Sequence, residues 1–135
     1  MMLCLMVMLG ALQQPVTLHL ARGGKSDYAI VLPQNASPSQ QRAAQELQHF
    51  LGQIAGVQLP IVDDSPASLG QVRAAIALGD NRLLRESGIS VDWAKLGDEG
   101  FLIVAQAPHL FIVGSPRRGT MYGVYGFLED DLGCR

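Results

Sequence analysis

The chain has 135 residues, 10 basic and 12 acidic side chains and a formal charge of −2, with 48% hydrophobic and 16% charged residues. These figures exclude a long disordered or collagen-like chain, and near-neutrality without a basic stretch argues against a nucleic-acid partner. The length accommodates one domain and not a catalytic barrel of about 250 residues.

In chain order, Met1 to Leu12 (MMLCLMVMLGAL) is apolar throughout except for Gly10, and the first charge is Arg22. This run falls short of the roughly 20 residues a membrane span needs, so no stable membrane span is expected. It reads as the apolar core of a secretory signal, although no Lys or Arg precedes it and no clean A-x-A site follows. A buried first strand, or a mis-chosen start, is the alternative. Residues 1–21 are therefore expected to be a secretory or disordered leader, and 22–135 the folded domain, with a first strand that can start at 16. The location expected from this leader is secreted or periplasmic. Cys4 and Cys134, at opposite ends of the chain, define neither a disulfide framework nor a metal site.

Val16 to Leu20 alternates and reads as a strand, and Tyr28 to Leu32 (YAIVL) as a stronger one closed by Pro33. Ser37-Pro38 opens a helix, with Ser37 as N-cap and Pro38 at the first helical position. Ala43, Ala44, Leu47, Phe50, Leu51 and Ile54 form one stripe facing a sheet, and Gly56 is placed to end the helix. Leu59 to Val62 is a short extended piece that Pro60 assigns to a sheet edge. Asp63 to Gly70 reads as a loop, Val72 to Leu78 as a strand, and Asn81 to Ser87 as one or two helical turns. Phe101 to Ala105 and Leu110 to Val113 are apolar strands joined by four residues, which predicts an antiparallel hairpin. A last helix follows from Arg117 to Leu132 and ends at Gly133. Met121, Val124, Tyr125, Leu128 and Leu132 make its bulky stripe, while Gly119, Gly123 and Gly126 lie nearly opposite. Three glycines cost helix propensity of about 1 kcal/mol each. Two readings fit: close approach to a strand or neighbouring helix, or a second domain seated on the glycine face.

Few residues suggest chemistry. His19, His49 and His109 are scattered, with no HxxxH or CxxC spacing, so no metal or cofactor is expected. Asp63-Asp64 suits turn formation and solvation better than acid–base work. Glu129-Asp130-Asp131 sits against the dipole of the last helix, which suggests a salt bridge to a neighbouring domain or a solvated face. Gly114 to Thr120 (GSPRRGT) is the richest segment: a strand ends, a turn follows, and a helix begins with two arginines. Arg117 and Arg118 oppose the dipole there, so at least one is expected to have an acidic partner. An anion site at Arg117 and Arg118 would make a small enzyme only with an acid–base group in reach, and no base stands near Ser115 in sequence. Trp93 is either a plug at a core edge or a sugar platform.

The ending IVGSPRRGTMYGVYGFLEDDLGCR resembles the amino-terminal accessory domain that precedes the barrel in bacterial alpha-glucuronidases and family 20 beta-hexosaminidases. The resembling pieces are Phe111 to Val113, Gly114, Arg118-Gly119-Thr120, Tyr122, Tyr125-Gly126-Phe127-Leu128 and Leu132-Gly133-Cys134-Arg135. Ala43-Ala44-Gln45-Glu46-Leu47, Gly56, Leu59-Pro60-Ile61 and Ala77-Leu78-Gly79 fit the same pattern. The resemblance implies an α/β fold of the α+β type: a mostly antiparallel sheet with two main helices packed on one face, as in the second domain of beta-hexosaminidases. It implies a non-catalytic accessory domain of a secreted glycoside hydrolase-like protein, cut before the catalytic domain, with the following barrel as its partner and carbohydrate as a further contact. Catalytic residues are expected to be absent, and Arg117, Arg118, Gly119, Thr120, Tyr122, Gly123 and Gly126 are the candidate interface or ligand contacts. An independent carbohydrate-binding module using Trp93, Tyr122 or Tyr125 is the first alternative, and the small enzyme with the anion site is the second.

Overall fold

The computed structural model describes residues 2–7 and 16–131, with side chains from 17 to 130. Most of the second half of the apolar leader run, and the tail with Leu132, Gly133 and Cys134, lie outside the described residues.

Strand β1 (Met2–Val7) pairs antiparallel with β2 (Val16–Arg22) in a two-stranded sheet. Leu18, Leu20 and Ala21 of β2 are buried in the main core, so this strand belongs to the packed body of the domain. After β3 (Tyr28–Leu32) comes α1 (Pro38–Ala55). Its start is fixed by a capping box, in which Ser37 Oγ accepts from the Gln40 amide while Gln40 Oε1 accepts from the Ser37 amide. Its end is fixed by Gly56, whose φ of 69° is the left-handed conformation that glycine adopts without a Cβ clash. The chain continues through β4 (Ile61–Asp63), the one-turn α2 (Pro66–Leu69), β5 (Ala74–Leu78), α3 (Arg82–Glu86) and α4 (Trp93–Leu96). Strands β6 (Phe101–Gln106) and β7 (His109–Gly114) then precede α5 (Gly119–Gly126), which widens into a π-helical turn over Phe127–Asp131.

The five-stranded sheet has the order β4-β3-β5-β7-β6. The β4–β3, β3–β5 and β5–β7 pairings are parallel, and only β6–β7 is antiparallel within it. This corrects the expectation of a mostly antiparallel sheet. The β6–β7 hairpin closes through a two-residue link and so runs antiparallel, but β3 reaches β4 only after the 18-residue helix α1. A crossover of that kind returns the chain in the same direction. The parallel strands have a signature of their own: β3 and β5 are buried at all positions, as expected of strands covered on both faces.

Both faces are indeed covered. On one, Ile30, Ile76, Leu78, Leu110 and Ile112 meet Leu47 and Leu51 of α1 and Val124, Phe127 and Leu128 from the end of the chain. On the other, Val31, Ala75, Ala77, Phe111 and Val113 are capped by Leu69, Leu84, Ile89, Val91 and Leu96, from the short helices and the loops between them. The two long helices therefore share one face, and the loop-rich middle of the chain closes the second.

Candidate functional site

The segment from Gly114 to Thr120 turns the chain from β7 into α5, and its bonds explain its composition. Ser115 Oγ donates to the Asp98 carbonyl at 2.8 Å and lies 3.3–3.4 Å from the amides of Arg117, Arg118 and Gly119, which donate to it. It thereby serves as the cap that Arg118 at the N-cap position cannot supply. Thr120 Oγ1, fully buried, donates to the Gly114 carbonyl at 2.9 Å and accepts from Gln40 Nε2 at 3.2 Å. Ser37 Oγ donates to the Pro116 carbonyl. Through these bonds the first turns of α1 and α5 are tied together beside the carboxyl end of β7.

Each arginine of the segment faces an acidic partner: Arg117 is 3.7 Å from Asp98, and Arg118 is 3.5 Å from Glu99. These pairs are exposed and each contributes little to stability. They nevertheless consume the cationic charge that an anion site would need. Asp98 and Glu99 fall in the stretch between α4 and β6, where the sequence carries no recognisable motif.

The three glycines of the last helix lie against the chain's own strands. A Cβ on Gly119 would meet the carbonyl of Gly100 at 2.6 Å, one on Gly123 would meet Ile112 Cγ2 at 2.6 Å, and one on Gly126 would meet the Phe101 ring at 2.8 Å. Close approach to a strand is thus the reason for them. Tyr125, expected on the sheet side, points outward, because the buried face centres on Thr120, Gly123, Val124 and Phe127. The outer surface here carries Phe101, Tyr122 and Tyr125, each 38–40% exposed. Trp93 is 37% exposed but begins α4, whose Leu96 packs on the opposite face of the sheet. It therefore forms no row with the two tyrosines of α5.

The remaining candidates have structural partners. His109 Nδ1 accepts from the Ala75 amide at 3.1 Å, and burial holds its pKa below the ordinary value. His49 packs edge-on against Phe50. Among the described residues no group of three His, Cys, Asp or Glu side chains is placed to hold a metal ion. Asp63, the exposed last residue of β4, has a carboxyl held below the usual range by hydrogen bonds from the Ser65 side chain and amide and then from Ser68. Asp64 differs from its neighbour. It is buried, and its carboxylate accepts from the Gln34 amide at 3.0 Å and the Arg82 amide at 2.8 Å, with the Arg85 guanidinium 3.8 Å away. The Asp-Asp pair in sequence gave no sign of this division, because Asp64 takes its role from segments 18 and 30 residues distant.

A mainly parallel sheet closed on both faces, with its conspicuous hydroxyls and arginines committed to backbone groups and ion pairs, defines a small α/β module built for packing. The chain belongs to the family described as the Glycosyl hydrolase family 67 N-terminus, whose model matches residues 16–127. It is accordingly a non-catalytic accessory domain of the kind found at the amino terminus of bacterial alpha-glucuronidase, and membership implies a catalytic barrel following it in the full protein. A search of curated proteins found none that matches the chain. No helix among the described residues is long and apolar enough to cross a membrane.

Proposed function

We propose that this domain docks onto the following barrel through the outer surface of α5 and the start of β6. Tyr122, Tyr125 and Phe101 are the apolar contacts, and Arg117 and Arg118 form the charged rim. The observation that carries this reading is that, among the described residues, three of the four exposed large hydrophobics, Phe101, Tyr122 and Tyr125, cluster around one helix, while Trp93 stands apart on α4. Tyrosine in a desolvated centre with charged residues at the rim is the usual composition of a binding patch. Gly119, Thr120, Gly123 and Gly126 support the patch from beneath by letting α5 lie close to β6 and β7. The domain so placed would bury part of the barrel's apolar surface and hold its nearby loops, while the hydrolytic carboxylates belong to the barrel.

We also propose that residues 1–21 form a leader and 22–135 the domain, with a first strand that can start at Val16. This reading places the protein outside the cytoplasm, on the strength of the apolar run Met1 to Leu12. The test of docking is thermal unfolding of the full protein carrying Tyr122→Ser and Tyr125→Ser together. Loss of two such contacts is expected to weaken the interface by about 2 kcal/mol or more, so that one unfolding transition separates into two. An unchanged single transition would count against this face. Amino-terminal sequencing of exported protein tests the leader.

A further inference from the structure

A second feature lies away from the aromatic surface, at the carboxyl ends of the parallel strands. From β3 the chain passes into α1 on one face of the sheet and returns as β4 on one side; from β5 it passes into α3 on the other face. The connections leaving these adjacent strands therefore diverge, and they open a crevice at the point where open α/β sheets bind ligands. A cleft of about 310 Å³ occupies this position, lined by Pro33, Asn35, Gln40, Asp80, Arg85 and Pro116. Its volume is at the lower end of the roughly 300–1,000 Å³ of small-molecule sites, which suits one ring and not a chain.

The lining determines the chemistry. Arg85 lies 3.5 Å from the Asp80 carboxylate and 3.8 Å from that of buried Asp64, and it also donates to the Asp80 carbonyl at 3.2 Å. Behind it, Arg82 Nε donates to the Asp64 carbonyl at 3.1 Å. One guanidinium thus stands between two carboxylates, so an anion is not favoured. Hydrogen-bonding capacity remains: a carboxylate offers about four acceptor positions, a guanidinium five donors, and the Asn35 amide both kinds. Pro33 and Pro116 supply flat apolar walls. Paired donors and acceptors of this kind, beside an apolar surface, match vicinal hydroxyls on a saturated ring. We propose that this cleft binds a single neutral monosaccharide unit through Asn35, Asp80 and Arg85. The inference does not depend on docking through α5, because none of those three residues lies on that surface.

The test is amide NMR titration of the 135-residue chain with D-glucose, D-glucuronate and cellobiose. Glucose is expected to give saturable shifts at Asn35, Asp80 and Arg85 with a Kd of order 1–10 mM, and glucuronate to bind several-fold more weakly. Asn35→Ala and Asp80→Ala remove exposed side chains and should each weaken binding at least fivefold without lowering Tm. Arg85 is left intact in this series, because its loss would strip buried Asp64 of its cation. Cellobiose binding as well as glucose would identify the end of a glycan chain as the source; cellobiose failing to bind would identify the free sugar. Absence of saturable shifts up to about 50 mM, equal binding by both variants, or tighter binding of glucuronate would each overturn the assignment.

Discussion

Asp64 and Asp63 are chemically identical and adjacent, yet their environments assign them different work. The Asp64 carboxylate joins the exit of β3, the start of α3 and the Arg85 side chain. Removing it leaves two amides without their acceptor and Arg85 with only one of its two carboxylates, and an unsatisfied buried group costs about 1–3 kcal/mol, more where a charge is involved. Asp64→Ala is therefore expected to lower unfolding stability by about 2–4 kcal/mol, while Asp63→Ala changes it far less; urea denaturation of both variants makes the comparison. His109 gives the pH dependence. Its Nδ1 must stay unprotonated to accept from Ala75, and burial lowers its native pKa below 6.5. The unfolded chain then takes up a proton more readily than the native one. The contribution of His109 is fully present above about pH 6.5 and is lost as pH falls through the lower native value. His109→Gln should flatten the dependence of Tm on pH between about 5 and 7; an unaltered slope would assign that dependence to other groups.

The helix α5 shows how an element is set by what it must approach. At Gly123 a methyl group would meet Ile112 Cγ2 at 2.6 Å and Phe101 Cβ at 3.2 Å, atoms held within the sheet. Overpacking costs about 1–3 kcal/mol and outweighs the gain of up to about 1 kcal/mol in helix propensity. Gly123→Ala is thus expected to destabilise by about 1–2 kcal/mol. At Gly126 the obstacle is the outer part of the partly exposed Phe101 ring, so Gly126→Ala should be nearly neutral; differential scanning calorimetry of the two variants makes the comparison. Elements governed by local rules were legible in advance. The capping box and Gly56 bound α1 where composition placed it, YAIVL formed β3 from Tyr28 to Leu32, and Pro60 preceded an edge strand. Relations between distant elements were not. Strand direction depends on how α1 crosses the sheet, and the continuous burial of YAIVL and AAIAL was the available sign of parallel neighbours. In the candidate site, the need of Arg117 and Arg118 for acids was readable from the helix dipole. The identity of those acids was not, since Asp98 and Glu99 meet them only once β6 and β7 have paired. The outward turn of Tyr125 follows from a buried face that includes Gly119, Thr120 and Gly123 beside Val124 and Phe127, small positions that a search for bulky stripes passes over.

The whole molecule is completed from its amino-terminal side by β2, whose Leu18, Leu20 and Ala21 enter the same core as α1, α5 and the central strands. The family match begins at residue 16, where this strand starts. Burying a leucine side chain contributes about 1.5–3 kcal/mol, so the two leucines together supply about 3–6 kcal/mol. A domain of this size has a net stability of roughly 5–15 kcal/mol, and a loss of that order brings it near the unfolding threshold. A chain cut to begin at Val16 is expected to unfold cooperatively, with a Tm close to that of the full chain. A chain cut to begin at Arg22 leaves the rest of this core without the cover that β2 provides and should melt far lower or aggregate. Circular dichroism melts of the two truncations separate the outcomes. Equal melting temperatures would mean that β2 merely lies on the core, and would move the functional boundary of the domain to Arg22. A collapse confined to the shorter chain would place that boundary at Val16, with the apolar run before it free to serve export.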